Sequence, residues 1–246
     1  MNTFRACWKL TRVAFHLVSG LATITLIFPK LNQAQKNIRI QDWALVLLDK
    51  IAINLVVIGE QPKPGPVLLA ANHVSWLDIY VVLATSPCRF VAKSEVRQWP
   101  VVGRLAVAAG TLFITRQSPR DAVRVVHQMT EHLQTGDKLA VFPEGTTSNG
   151  LQVLPFHSNL FQAAISAQVS VQPVALQYSD LTTGQPSMAP IYIDQDSLMA
   201  SIWRTLKAPP LRATLNFGSL QHPQGRDRRR MAADVRAAVS DLRLAP

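Results

Sequence analysis

Cysteine is scarce in this chain: Cys7 and Cys88 are the only two in 246 residues. They form no metal-ligand spacing and no disulfide framework, which excludes a zinc-scaffolded or disulfide-stapled fold and makes a reducing compartment the default reading. Acidic side chains are also few, 15 against 25 lysines and arginines, leaving a formal net charge of +10. That balance implies an anionic neighbour, and charge alone does not choose among lipid headgroups, nucleic acid and the phosphates of a carrier. No nucleic-acid-binding motif accompanies the charge, so nucleic acid is not expected as a partner. The chain has no internal repeat or low-complexity segment, no Gly-x-Ser-x-Gly elbow and no His-Glu-x-x-His pair, which argues against a serine hydrolase and a zinc hydrolase. Its length suffices for one sizeable core and is short for two ordinary enzyme domains.

Hydrophobic residues make up 48% of the chain, and the excess lies near the N-terminus. Arg5, Lys9 and Arg12 precede a largely apolar run from Val13 to Phe28 that stops at Pro29. No small-x-small cleavage site follows, so the segment is not read as a removed signal peptide. The run is just short of a comfortable span and holds His16, Ser19, Gly20, Thr23 and Thr25. A second run, Trp43 to Ile58, is interrupted by Asp49, Lys50 and Asn54, which disfavours a transmembrane helix. Basic residues flank the first run on both sides, with Lys30, Lys36 and Arg39 downstream, so no lysine and arginine bias picks an inside. Two helices, or a helical hairpin, dipping into one leaflet with basic residues at anionic headgroups fit this pattern. A single span and an ordinary pair of core helices stay open.

From Leu55 the pattern changes. Leu55–Gly59, Val67–Ala71, Arg89–Ala92, Thr111–Thr115, Lys138–Phe142, Val171–Tyr178 and Arg212–Leu220 read as strands. Trp76–Ala84, Asp121–Gln134, Ser158–Ala167, Ser197–Thr205 and Arg226–Leu242 read as helices. Alternation of this kind predicts an α/β fold whose mostly parallel central sheet is covered by helices, preceded by the membrane-associated helix pair. The arginines of Arg226–Arg230 read as a solvated helix face or as an anionic-lipid contact.

Four segments carry chemistry. Asn72-His73-Val74-Ser75-Trp76-Leu77-Asp78 follows a strand and opens a helix. Ser75 is expected as N-cap, with Asp78 in a capping-box-like position in the first turn, close to the strand end that holds His73. A carboxylate there holds one imidazole nitrogen and leaves the other free, the orienting relation of a catalytic dyad. Such an imidazole removes a proton from a hydroxyl in a transition state. Singly, an Asp in a first helical turn and a His at a strand end are ordinary. Phe142-Pro143-Glu144-Gly145-Thr146-Thr147 also ends a strand, where α/β sheets gather ligands. Gly110–Arg116 is a strand ending in an arginine suited to a phosphate or carboxylate, or to a surface salt bridge. Val171-Gln172-Pro173-Val174 is a strand with a proline, which points to an edge or a bulge.

In this order the segments resemble the four sequence blocks of the glycerolipid acyltransferase family, which includes bacterial 1-acylglycerol-3-phosphate acyltransferases. Asn72, His73 and Asp78 match the family's Asn-His-x-x-x-x-Asp block in full, and Phe142 to Thr146 match its Phe-Pro-Glu-Gly-Thr block in full. Gly110, Phe113, Ile114 and Arg116 match the second block, and Val171, Pro173 and Val174 match the fourth loosely. The resemblance runs from about Leu55 to Tyr178. It implies membrane-associated helices over residues 1–54 and an α/β acyltransferase domain over residues 55–246.

It also implies the chemistry. His73 is the general base and Asp78 its orienting partner. The acceptor is a lysolipid hydroxyl, and the donor is acyl-CoA or acyl-carrier protein, with no cofactor, no metal and no acyl-enzyme. Asn72, Arg116, Glu144, Gly145 and Thr146 serve substrate binding. The resemblance points first to 1-acyl-sn-glycerol 3-phosphate as acceptor, giving phosphatidic acid at the cytoplasmic face of the inner membrane, with the protein peripheral, monotopic or single-span. Two departures bear on the headgroup. Many relatives carry an arginine after Glu-Gly-Thr, where this chain has Thr147, and Asp or Asn before the motif arginine, where it has Thr115. The string from Glu144 to Ser148, followed by Leu154-Pro155-Phe156-His157, also resembles relatives that acylate lyso-ornithine lipid, with His157 a headgroup contact or an ordinary loop histidine. A non-catalytic protein that binds anionic lipid is the reading of another class.

Overall fold

The computed structural model describes residues 2–114, 119–193 and 196–244. It contains a seven-stranded sheet in the order β1-β7-β6-β2-β5-β3-β4. The strands are β1 (Ile53–Ile58), β2 (Val67–Ala71), β3 (Arg89–Lys93), β4 (Leu112–Ile114), β5 (Lys138–Val141), β6 (Val171–Asp180) and β7 (Leu211–Phe217). Every neighbouring pair is parallel except β6 and β7. The helices are α1 (Asn2–Leu26), α2 (Gln33–Lys50), α3 (Asp78–Thr85), α4 (Val102–Ala108), α5 (Pro119–Gln134), α6 (Phe161–Ala167), α7 (Leu198–Lys207) and α8 (Arg228–Leu244).

A strand in the middle of a parallel sheet has no solvated face, so it is apolar throughout. β2 is buried at all its positions: Val67, Leu69 and Ala71 join the core with α2 and α3, while Leu68 and Ala70 join the core with α5, α6 and α8. The sheet thus separates two hydrophobic layers. Arg228, Arg229 and Arg230 open α8 on the layer opposite α1 and α2. The Arg226 guanidinium is instead engaged internally, with Asp234 at 2.9 Å.

The apolar N-terminal run is one helix, and residues Thr3–Lys30 form a stretch long and apolar enough to cross a membrane. At about 1.5 Å per residue α1 is about 37 Å long. Its Ala6, His16 and Gly20 are buried, while Phe4, Trp8, Phe15, Val18 and Leu26 are more than half exposed. Of the residues that interrupt the run, His16 and Gly20 therefore face the protein, while the exposed Ser19 and Thr25 donate their hydroxyls to carbonyls of their own helix. His16 stacks on Trp43 of α2 with ring centroids 4.6 Å apart, its Nε2 lies 2.9 Å from the Trp43 carbonyl, and Trp43 Nε1 donates to the His16 carbonyl. A Cβ on Gly20 would stand 2.7 Å from Trp43 Nε1, so only glycine lets the helices approach this closely. The second apolar run, Trp43–Ile58, is no single element: it supplies the end of α2, a turn at Ala52 and then β1.

Two local expectations are corrected. Ser75 is not the N-cap: α3 begins at Asp78 with Leu77 in the cap position. Asp78 accepts from the Ser75 N–H, one half of a capping box, but the Ser75 hydroxyl turns to the Leu77 N–H instead. Between Ala92 and Thr111 the sequence pattern suggests no element, yet a 3-10 turn (Ser94–Gln98) and α4 lie there. α4 is too short to show a period or to be stable alone. It is held by contact, since a Cβ on Gly103 would meet the Arg97 carbonyl at 2.3 Å.

Proline 173 lies in the middle of the sheet, between β2 and β7, not at an edge. Gly218 donates to the Pro173 carbonyl at 2.9 Å, and the Gly218 carbonyl that residue 173 cannot serve accepts from the Gln172 side chain at 3.0 Å. An extra residue on the returning chain separates this pair from the Val171–Gln221 bridge, so a bulge does adjoin the proline. Gln172 is 3% exposed and donates to the Glu60 carbonyl as well. Gln172→Ala is therefore expected to lower stability by about 1–3 kcal/mol through a buried carbonyl left unpaired. Urea unfolding reads this directly, and an unchanged midpoint contradicts it.

Candidate active site

Adjacent parallel strands β2 and β5 end side by side, and each hands the chain to a loop from its carboxyl end. The β2 loop carries His73, the β5 loop Glu144, and α3 brings back Asp78. His73 Nδ1 lies 2.7 Å from Asp78 Oδ2. The Asp78 side chain is fully buried and the His73 side chain 19% exposed, so the dyad has a sealed end and an open end.

Burial of a carboxylate is costly unless donors surround it. Asp78 Oδ2 also accepts the Val74 N–H at 2.7 Å and the Ser75 N–H at 2.9 Å, and Oδ1 accepts the Tyr178 hydroxyl at 2.8 Å. The two backbone N–H groups fix Oδ2 as an acceptor, toward the ring as well. The imidazole must then donate from Nδ1, and Nε2 carries the lone pair. The ring plane is fixed by Phe142, which stacks on it at 4.0 Å and 8°, and Phe142 in turn stacks on Phe90 at 5.5 Å. Tyr178 was not evident as a site residue. The signal was its parity with Val174 and Leu176, which puts all three on the face of β6 that meets α3.

Glu144 is 4% exposed, and its oxygens are taken by the backbone N–H groups of His73 (2.7 Å) and Leu154 (2.9 Å). Burial pushes its carboxyl above the usual range, and these two bonds pull it part of the way back. Ser148 completes the splice by donating its N–H to the His73 carbonyl at 2.8 Å. Asn72, 2% exposed, exchanges both amide ends with Leu176 of β6, continuing the ladder past the end of β2. It has almost no surface for a ligand. Gly145 has φ +73°, a backbone conformation that favours glycine, and Thr146 is exposed beside it. Arg116, with Thr115, lies outside the described residues.

An apolar cavity of about 280 Å³ lies between α1, α2, α3 and the β3–α4 segment, walled by Ile24, Trp43, Ile79, Leu83, Phe90 and Leu105 among others. Phe90 links it to the dyad through Phe142. Cys88 also lines it, with a thiol pushed by burial up to about 12, which leaves it protonated and poorly nucleophilic. Among the described residues, no group of three or more His, Cys, Asp or Glu side chains is placed to hold a metal ion.

The Tyr178 hydroxyl is pushed far above the ordinary tyrosine range by burial and then by the neighbouring Asp78 charge. Its folded state holds a proton that the unfolded chain releases near about pH 10, so stability is full below that pH and falls as pH rises above it. Tyr178→Phe is expected to flatten that alkaline loss and, by leaving Asp78 Oδ1 without its donor, to cost about 1–3 kcal/mol near neutrality. Denaturant midpoints across pH 7–11 check both, and a parallel pair of curves contradicts the linkage.

Known proteins similar to this chain are acyltransferases. The family model described as Acyltransferase matches residues 54–177, the span from β1 into β6. The chain is 42% identical over 180 residues to a 1-acyl-sn-glycerol-3-phosphate acyltransferase of Neisseria gonorrhoeae, covering 71% of this chain and 70% of that one. It is 39% identical over 199 residues to a lyso-ornithine lipid O-acyltransferase of Pseudomonas aeruginosa, covering 80% and 75%. The crystal structure of the 1-acyl-sn-glycerophosphate (LPA) acyltransferase PlsC from Thermotoga maritima has the same fold, with a TM-score of 0.72 at 21% identity over 100% of this chain and 97% of that one. With the Asn72–Asp78 and Phe142–Thr146 blocks meeting at the ends of two paired strands, the chain belongs to the acyltransferase family.

Proposed function

We propose that this enzyme moves a fatty acyl group from the thioester of acyl-CoA or acyl-carrier protein to the free hydroxyl of a lysolipid, with His73 as general base. The observation that carries the reading is the 2.7 Å contact between His73 Nδ1 and a buried, fully donated Asp78 carboxylate, which leaves Nε2 as the basic atom of the ring. The acceptor oxygen attacks the thioester carbonyl carbon while its proton passes to Nε2. The tetrahedral intermediate then collapses, the C–S bond breaks, and the departing thiolate takes the proton from the imidazolium. The carboxylate orients the ring and stabilises its charged form without itself becoming protonated. No acyl-enzyme is involved and no cofactor is invoked. The apolar cavity walled in part by Phe90, whose ring stacks on Phe142, suits an acyl chain.

The first acceptor is 1-acyl-sn-glycerol 3-phosphate, giving phosphatidic acid, with Thr146 and Gly145 toward the headgroup and Arg116, by its motif alone, a further headgroup-binding residue. We assign Glu144 and Asn72 to holding the loops, because their polar atoms are engaged by backbone. Lyso-ornithine lipid is the second reading. It is favoured by Thr147, which puts a neutral side chain after Glu-Gly-Thr, and by similarity to the Pseudomonas enzyme over 80% of this chain.

We place residues 1–54 at the membrane and the α/β domain, residues 55–246, at its surface. The exposed Phe4, Trp8, Phe15 and Val18 support this seat, as do Arg5, Lys9, Lys30 and Lys36 around them, which suit anionic headgroups. The protein would then work from the cytoplasmic face of the inner membrane, monotopic or with α1 spanning.

Purified protein given an acyl thioester and each lysolipid separately is expected to release free thiol, and His73→Ala to lower turnover about 10²–10⁴-fold while the fold stays intact. A folded His73→Ala protein with near-full rate overturns the mechanism. Thioester loss that needs no lysolipid favours a hydrolase, and vesicle binding with no thiol release favours the non-catalytic reading. Replacing Phe4, Trp8 and Phe15 with Ser is expected to shift the protein from pelleted vesicles toward the supernatant, and undiminished sedimentation counts against the membrane seat.

A further inference from the structure

The connection from Phe142 to His157 carries the Glu-Gly-Thr block without any helix or strand. Backbone in such a stretch has no ladder to hold it, and each buried carbonyl needs a donor from elsewhere. Its near half is tied to the β2 loop through Glu144 and Ser148. The far half, from Gly150 to Leu154, is held by arginines of α8. Arg236 Nε donates to the carbonyls of Val153 (3.1 Å) and Leu154 (3.0 Å), and one terminal nitrogen donates to Val153 at 2.6 Å. Arg243 donates to the Gly150 carbonyl. Arginines 236 and 243 lie about two helical turns apart, so they share a face, and both are half-buried.

The helix that presents them is itself fixed to the sheet. Asn216 of β7 donates its amide to the Leu242 carbonyl at 3.2 Å, and Gln177 of β6 donates to the Arg243 carbonyl. Next to Gln177 stands Tyr178, which holds Asp78. The loop they grip returns to the dyad as well: Leu154, whose carbonyl Arg236 holds, donates its N–H to Glu144, and the other oxygen of Glu144 holds the His73 N–H. Both the Asp78 side and the His73 side of the dyad are thus referred to the same end of the sheet and to α8.

We propose that Arg236 and Arg243 are positioning residues for acyl transfer, acting through the Gly150–Leu154 loop and Glu144 on the backbone of His73. The inference rests on the assignment of His73 as base. Arginine is required because one guanidinium reaches two carbonyls at once in a fixed plane, and a lysine ammonium does not reproduce that fork. A displacement of about 1 Å at a reacting atom lowers rate by as much as about 10²-fold, which is the scale on which such a clamp acts.

The test is steady-state thiol release by the full-length protein in vesicles, comparing Arg236→Ala, Arg236→Lys, Arg243→Lys, Glu144→Gln and the double variant Arg236→Ala/Glu144→Gln. The expected result is a kcat about tenfold or more lower for Arg236→Ala, with KM for the thioester within about a factor of two. Arg236→Lys should recover little of it, Arg243→Lys should fall by less, and the double variant should be no slower than Glu144→Gln alone. Non-additivity separates action through Glu144 from a general loss of stability, which would add. If Arg236→Ala fails to fold at the assay temperature, the Arg236→Lys and Glu144→Gln pair carries the same cycle. Full kcat in Arg236→Ala or Arg236→Lys, or additive losses with Glu144→Gln, overturns the proposal. His73→Ala run alongside separates the two levels: an active His73→Ala undoes the assignment of the base, whereas an inactive His73→Ala beside fully active arginine variants undoes this inference alone.

Discussion

A single buried carboxylate organises the molecule's working end. Asp78 is fully buried, and such a charge persists only where donors replace the water it has lost. It receives the imidazole of His73, the N–H groups of Val74 and Ser75, and the hydroxyl of Tyr178. Those donors come from the β2 loop and from β6, so satisfying the carboxylate sets the exit angle of that loop, the start of α3 and the rotamer of the histidine together. Removing one donor leaves a charge partly uncompensated, and this is why the arrangement holds as a unit.

The rest of the fold supplies the frame. β2 is apolar on both faces and ends beside β5, so the two loops with polar side chains leave the sheet from the same edge. The layer with α1, α2 and α3 leaves an apolar cavity walled in part by Phe90, which stacks on Phe142 and through it on His73, and α1 turns a strongly hydrophobic face outward next to it. An exposed apolar helix face, an apolar cavity and a polar dyad thus follow one another, and the transfer proposed above rests on that order.

Much of this was legible in the sequence for physical reasons. Runs such as Val67–Ala71 and Lys138–Phe142 are short, mostly apolar and flanked by turn residues, and the spacing from His73 to Asp78 suits a strand end facing the first turn of the next helix. What was not legible depends on contacts distant in sequence. Tyr178 is one residue of an apolar strand until Asp78 is seen beneath it. The motif blocks show Asn72 and Glu144 as polar residues but not that their polar atoms bond to the backbone of Leu176, His73 and Leu154. The central placement of Pro173 depends on a side-chain amide, that of Gln172, replacing the missing N–H at Gly218. α4 has no periodic signal because it is short and held by the close approach of Gly103 to Arg97.

The central claim is a statement about one proton: on the neutral ring of His73 it sits on Nδ1, facing Asp78, and Nε2 is bare. Nitrogen-15 NMR of histidine-labelled protein, with His73 assigned by its disappearance in His73→Gln, reads the tautomer directly. The account predicts a protonated Nδ1 and an unprotonated Nε2, with this state lost when Asp78 is replaced by Asn. A His73 ring protonated at Nε2 and bare at Nδ1 would contradict it.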